Sequence, residues 1–172
     1  MTLAGIGGQM ETVVVGWFVL TLTNSPFLVG LATSTRIAAN FLAVFAGTLA
    51  DRMRRHLLLA FVEFILGGLG LVMVLLILSG HLQTWHIFIL TLAGGLVRMF
   101  QMPAAQSLAA DTLSPDRLGN GLALTNAAMN ISTIVGPLVG GWLFQVCGPQ
   151  SAYFVIATLN FFGGACALLV KT

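Results

Sequence analysis

Four charged side chains lie inside long apolar stretches of this sequence: Glu11, Arg36, Glu63 and Arg98. If those stretches cross a bilayer, each charge costs about 2.5–3.5 kcal/mol at the membrane centre unless it has a partner or water. A carboxylate beside an arginine at that depth is suited to proton exchange, because desolvation favours the neutral acid and the arginine favours the anion. The chemistry that these residues offer is therefore charge pairing and proton exchange.

The composition indicates that the solvent of this chain is lipid. Of its 172 residues, 58% are apolar and 7% are charged, whereas soluble domains are nearer half apolar and one quarter charged. A soluble fold of this size could not keep so much apolar surface from water. The net charge of +2 comes without a basic face interleaved with aromatic residues, so nucleic acid is not an expected partner. The sequence shows no nucleophile–base or metal-ligand spacing, and we expect neither an enzyme nor a cofactor or metal.

Six apolar stretches are long enough to cross a bilayer, for which a helix needs about 20 residues. Ser25-Pro26 and Ser114-Pro115 each place a hydroxyl N-cap before a proline at the first helical position. Gly148-Pro149 separates the last two stretches. We therefore predict an all-α membrane protein with one six-helix bundle over residues 1–172. Its predicted spans cover about residues 1–22, 27–50, 57–79, 85–109, 115–146 and 151–170.

The basic residues predict the orientation in the membrane. With a cytoplasmic N-terminus, the loops at 51–56 and 110–117 and the C-terminal tail also face the cytoplasm. These segments hold five of the seven basic residues, namely Arg52, Arg54, Arg55, Arg117 and Lys171. The outward loops hold none, which is a positive-inside pattern. We therefore expect a multi-pass protein of the plasma (inner) membrane with both termini in the cytoplasm.

Two of the buried charges are predicted to lie at the same depth. Glu11 lies about ten residues above the cytoplasmic end of the first span, and Arg98 lies at a similar height in the fourth. At about 1.5 Å rise per residue both reach mid-membrane. We predict that they interact, directly or through water, and act in proton coupling; a static structural ion pair is the alternative. Arg36, about nine residues below the outer end of the second span, is a candidate contact for substrate or for another helix.

Three strings carry a family resemblance. Residues 47–56 read GTLADRMRRH and resemble the G-x-L-A-D-R-x-x-R-R/K loop between helices 2 and 3 of major facilitator superfamily transporters. RMFQMPAA at 98–105 is similar to the superfamily's helix-4 pattern R-x-x-Q-G-x-G-A, and GPLVGG at 136–141 is similar to the helix-5 antiporter motif G-P-x-x-G-G. Together they look most like the drug and siderophore exporter branch, the enterobactin-exporter-like and macrolide-efflux-like proteins.

The resemblance implies an architecture larger than this chain. Superfamily members have about twelve helices in two six-helix halves, each an inverted pair of three-helix repeats. The resemblance covers the N-terminal half, in which helices 1 and 4 line the central cavity. The chain is therefore expected to be a fragment, and a half-transporter that dimerises is the alternative. Its expected partners are the lipid bilayer, a small-molecule substrate, protons, and the missing C-terminal half or a second copy.

The resemblance also implies a gating role for the loop after helix 2, which in the family helps to latch the two halves on the cytoplasmic side. The gating residues carried over are Gly47, Asp51, Arg52 and Arg55. Glu63, some six residues into the third span, is expected to join their network. Contacts made in only one of two states bias the equilibrium between them. The alternative is a loop that only sets topology.

The fifth span carries the antiporter-like motif, whose residues here are Ser132, Gly136, Pro137, Gly140 and Gly141. Small residues recur every four positions at 132, 136 and 140, which lets another helix approach closely, and the proline would bend the span. In the family this helix packs between the halves, so in a dimer this face is a predicted homodimer seam. Asn126 and Asn130, on a neighbouring stripe, are candidate contacts with substrate or a partner helix.

The leading functional hypothesis is secondary active export of a small amphiphilic molecule, a drug, siderophore or metabolite, against inward proton flow. Nutrient uptake by the same fold is one alternative, and a non-transporting membrane subunit or remnant is another. The GPLVGG string favours export. The mid-membrane charges argue against a non-transporting protein, because buried charge is costly to keep.

Overall fold

Six α-helices form the described part of the chain, which in this computed structural model comprises residues 2–41, 55–101, 103–105 and 115–169. They are α1 (Thr2–Thr23), α2 (Pro26–Phe41), α3 (Arg55–Leu78), α4 (Thr84–Arg98), α5 (Pro115–Cys147) and α6 (Pro149–Leu169). Five helical segments of these residues are long and apolar enough to cross a membrane: Ala4–Thr23, His56–Leu78, Thr84–Ala105, Gly119–Cys147 and Pro149–Leu169. α2 is described over 16 residues, Pro26–Phe41, and the rest of the predicted second span after residue 41 lies outside the described residues. The prediction of an all-α membrane protein is confirmed.

Tight turns make neighbouring helices antiparallel. Asn24, which follows α1, has a φ of 50°, in the left-handed region that often ends a helix. Ser25 then caps α2, its Oγ accepting a hydrogen bond from the Leu28 N–H at 3.5 Å, and Pro26 is the first helical residue. Between α5 and α6, Gly148 has a φ of 82°, also in the left-handed region, and Pro149 is the first residue of α6. Each turn therefore returns the chain through the bundle.

α1 is the central helix of the bundle. It packs against α2, α4, α5 and α6, while α3 packs against α4 and α6. The larger core cluster accordingly combines five helices and includes Met10, Val14 and Phe18 of α1, Ala32 of α2, Met73 of α3, Ile87 of α4, and Tyr153 and Ile156 of α6. A polar side chain halfway along α1 is therefore enclosed by other helices.

The small-residue face of α5 lies against α1. A Cβ added at Gly136 would lie 2.6 Å from Gln9 Cβ and 2.9 Å from Ile6 O, and one at Gly140 would lie 3.1 Å from Met10 Cα. The two backbones can approach this closely because both positions lack a side chain. The spacing of small residues therefore predicts a close helix contact correctly, but the partner is α1 of the same bundle.

This contact corrects the prediction of a homodimer seam. Ser132, Gly136 and Gly140 are buried, and a Cβ added at Gly5 of α1 would lie 3.4 Å from Ser132 Oγ. These residues are covered within the bundle, so they are not available to a second copy or to another half. The exposed surface of α5 lies elsewhere on the helix and carries Leu124, Ile131, Ile134, Leu138, Trp142 and Val146.

The three tryptophans lie at one end of the bundle. Trp17 is near the end of α1, Trp85 is near the start of α4, and Trp142 is near the end of α5. Their side chains are 50%, 53% and 61% exposed. Tryptophan is enriched at membrane–water interfaces, where one edge of the ring is apolar and the other is wet. These side chains are therefore suited to the membrane–water interface at this end of the bundle.

Candidate functional site

An ion pair joins α1 to α4 in the interior of the bundle. Arg98 Nη2 donates to Glu11 Oε2, and the two residues are 87 positions apart in the sequence. The Arg98 side chain is 13% exposed and the Glu11 side chain 20%. The structure thus brings together the two residues that depth arguments selected, in direct contact. Both side chains are therefore largely, but not completely, shielded from solvent.

Glycine makes room for the pair on α1. A Cβ at Gly8 would overlap Arg98 Nη1 and lie 3.2 Å from Arg98 Cζ. Gly8 precedes Glu11 by three positions, so both residues lie on the face of α1 that meets α4. The guanidinium therefore crosses α1 at a position where only glycine fits without displacing it.

Gly8→Ala should consequently move Arg98 away from Glu11. Because the overlapping atom is the far end of a flexible side chain, we expect the full-length product of the gene to lose about 1 kcal/mol, the lower end of the range for overpacking. Gly16→Ala on the same helix is the matched control, because its Cβ would lie 3.6 Å from Val29 Cγ1, an ordinary contact. Denaturation of the purified protein in detergent measures both variants. Equal effects of the two substitutions would contradict the placement of Arg98 over Gly8.

The α4 helix is interrupted directly after Arg98. Met99 N–H still bonds to Gly95 O at 3.2 Å, but Phe100 N–H bonds to Val97 O, also at 3.2 Å, in a tighter three-residue turn. Pro103 has no N–H to offer to the carbonyl of Met99, which favours a kink at this point of the helix. Arg98 thus lies in the last turn of α4, where the helix dipole favours a cation.

Glu63 of α3 pairs with Gln101, just beyond α4. Gln101 Nε2 donates to Glu63 Oε1 at 2.7 Å, and Glu63 is 3% exposed. Glu63 Oε2 has no hydrogen-bond partner among the described residues and would lie 3.5 Å from a Cβ at Gly163 of α6. The carboxylate is therefore held between α3, α6 and the residues after α4. The sequence marked Gln101 only as part of the RMFQMPAA string and missed this contact.

The predicted gating network lies largely outside the described residues. Gly47, Asp51 and Arg52 are not among them, and of Arg55 only the helical backbone is described. The gating role of these residues, and the link from Glu63 to them, stay predictions. The contact that the structure gives Glu63 is the one with Gln101.

Three residues that were predicted to contact substrate or a partner helix are not found in the interior of the described bundle. Asn126 and Asn130 are exposed on α5. Arg36 lies within α2, but its side chain is outside the described part. Two motif residues of α5 remain. Pro137 lies inside the helix, and a Cβ added at Gly141 would have nothing within 4 Å.

A small cavity lies beside the ion pair. Its polar lining comes from Glu11 of α1, Thr91 of α4 and Tyr153 of α6. The apolar lining comes mainly from α3 and includes Leu66, Leu69, Gly70 and Met73. Sequence reasoning selected neither Thr91 nor Tyr153, because a single hydroxyl within an apolar span gives no spacing signal. The site thus has members on four helices.

Comparison with known proteins confirms the family resemblance. The family model described as transmembrane secretion effector (MFS_3) matches residues 1–171. The multidrug resistance protein MdtG of Proteus mirabilis is 28% identical over 119 residues, which are 69% of this chain and 28% of that protein. MdtG of Dickeya zeae is 29% identical over 117 residues, covering 68% of this chain and 27% of the relative. The matched segment therefore spans little more than a quarter of these curated relatives. The chain belongs to the transmembrane secretion effector family of major facilitator superfamily transporters.

Proposed function

We propose that this chain is the N-terminal half of a proton-coupled exporter, which moves a small amphiphilic molecule out of the cell by alternating access. In this proposal α1–α3 and α4–α6 are the two inverted three-helix repeats, and a second six-helix half completes the transporter. The relatives' names, multidrug resistance proteins, support export. Their greater length supports a second half. The observation that carries the proposal is the enclosed Glu11–Arg98 ion pair.

The proton in this proposal resides on Glu11. Arg98 stays charged in proteins, so only the carboxylate of the pair can change its protonation. Protonation removes the negative charge that Arg98 neutralises and frees the guanidinium for another acceptor, such as a polar group of the substrate. Opening the site to water on one side or the other changes which form of Glu11 is favoured. The pair can thereby link a proton to a conformational state.

The proposed orientation places both termini and the arginine-rich loop 51–56 in the cytoplasm. The basic residues of the sequence support it through the positive-inside rule. The three exposed tryptophans lie at the opposite end of the bundle, at the end of α1 and the start of α4. The proposed cytoplasmic latch, with Asp51 as its acidic residue, belongs to the arginine-rich end.

Glu11→Gln in the full-length product tests the proposal. A substrate would first be chosen from amphiphilic antibiotics and dyes by growth protection of cells that express the gene. In proteoliposomes, we expect the variant to lose substrate accumulation driven by a proton gradient while it still exchanges labelled for unlabelled substrate. Exchange needs binding and alternation but no net proton movement, so it separates lost coupling from misfolding.

Glu63→Gln is the matched control, because an amide oxygen can still accept the Gln101 hydrogen bond. We expect this variant to keep the coupling of substrate movement to protons, since its predicted link is to the gating network. Normal proton-driven accumulation by Glu11→Gln would remove Glu11 from the mechanism. Movement of substrate and protons in the same direction would replace export by uptake.

A further inference from the structure

Two residues with buried hydroxyl groups line the cavity beside the ion pair. Thr91 Oγ1 and the Tyr153 hydroxyl have no hydrogen-bond partner among the described residues. Thr91 is 4% exposed and Tyr153 is 2% exposed, and both line the cavity that Glu11 also lines. Buried hydroxyls are almost always hydrogen-bonded, to protein or to ordered water. These two groups therefore point to a ligand within the cavity.

Glu11 presents its second oxygen to the same region. Among the described residues Arg98 is the donor to this carboxylate, and it bonds to Oε2. Oε1 lies 3.7 Å from the Cβ position of Gly94, which Leu66 and Leu69 also approach. Both leucines line the cavity. A carboxylate residue and two hydroxyl residues, from three different helices, thus line one small space.

The size of the space restricts the ligand. The cavity volume is about 10 Å³, enough for one ordered water. A buried water also needs two to four polar partners, and this cavity supplies three. Its chemistry and its size both match a single water.

We propose that Glu11, Thr91 and Tyr153 bind one water molecule beside the Glu11–Arg98 pair. The water donates one hydrogen bond to Glu11 Oε1 and forms its other hydrogen bonds with the hydroxyl groups of Thr91 and Tyr153. It thereby connects α1 to α4 and α6 at the depth of the ion pair.

The consequence for transport rests on the proposed role of Glu11. When Glu11 is ionised, the water donates to its free oxygen. When Glu11 carries a proton, its O–H can donate to the same water, which then accepts. Thr91 and Tyr153 are therefore positioning residues that keep both forms of the carboxyl group hydrogen-bonded.

X-ray hydroxyl-radical footprinting of the full-length product in lipid nanodiscs tests the water site. Radiolysis of a bound water forms radicals in place, so buried side chains beside it are oxidised. Met73 lines the cavity and is 2% exposed. Met10 is 0% exposed and does not line the cavity, so it is the internal control. We expect Met73 to be oxidised several-fold faster than Met10.

Two variants remove one hydroxyl each at nearly constant shape: Thr91→Val and Tyr153→Phe. In both, we expect Met73 oxidation to fall towards that of Met10. Thr158→Val is the matched control, because Thr158 is exposed on α6 and its hydroxyl bonds to Phe154 O at 2.8 Å. It should leave Met73 oxidation unchanged.

Two results would overturn the proposal: oxidation of Met73 no faster than that of Met10 in the unmodified protein, or no decrease in either hydroxyl variant. A misfolded variant is recognised by oxidation of Met10, and the other variant then decides. No transport is measured, so the water site can fail while Glu11 still couples protons, and the reverse.

Discussion

Glu11→Leu should destabilise the protein more than Arg98→Met, although each substitution breaks the same ion pair. Removing one partner of a buried pair costs about 3–5 kcal/mol, because the other charge is left uncompensated. Arg98 cannot discharge itself, so we expect Glu11→Leu to reach this range. Glu11 can take up a proton and become neutral, so Arg98→Met should cost clearly less. Denaturation of the full-length product in mixed micelles at neutral pH measures the difference.

The double variant completes the test. Glu11→Leu with Arg98→Met removes both charges, and replacing a buried pair by apolar residues is often nearly neutral. We expect the double variant to be more stable than Glu11→Leu alone, with the coupling read from the double-mutant cycle. A double variant less stable than either single one would mean that the pair is not the enclosed contact described above. Equal losses in the two single variants would show that Glu11 stays charged when alone.

Gly136→Ala should also cause a large loss, through a contact that involves no charge. The added methyl group would lie 2.6 Å from Gln9 Cβ and 2.9 Å from Ile6 O. Because one of these atoms belongs to the backbone of α1, relief requires the two helices to separate. We expect a loss of about 1–3 kcal/mol, measured by the same denaturation. Gly140→Ala, with Met10 Cα at 3.1 Å, should be intermediate.

Gly141→Ala is the matched control for this contact. It lies on the same helix, and nothing is within 4 Å of its Cβ position. Alanine is favoured over glycine in a helix by about 0.5–1 kcal/mol, so this variant should be neutral or slightly more stable. A loss at Gly141 equal to that at Gly136 would place the sensitivity in α5 itself, and the α1–α5 contact would not be its cause.

The sequence alone was sufficient to select the ion pair. Charge is rare in this chain, and its cost in lipid means that Glu11 and Arg98 each need a partner. Counting residues from the span ends then gave their depth, since the rise of a helix is fixed. Together these two arguments left few alternatives. The same counting placed Glu63 near the cytoplasmic loop, but depth alone did not show that Gln101 would be its partner.

The partner of the α5 small-residue face could not be predicted in this way. In a soluble helix, polar and apolar sides show which face is buried. In a membrane, faces that meet lipid and faces that meet another helix are equally apolar, so small residues indicate close contact without naming the partner. For the same reason Gly8 could not be distinguished from the other 19 glycines. Thr91 and Tyr153 became visible only when the helices were assembled around one cavity.

The distance between Glu11 and Arg98 along the chain has a consequence for biosynthesis. They are 87 positions apart, and synthesis at about 5–20 residues per second takes about 4–17 s to cover that distance. α1 therefore leaves the ribosome and meets the membrane well before its counter-ion exists. Until Arg98 arrives, Glu11 needs water or another polar partner, because an unpaired charge in lipid is costly.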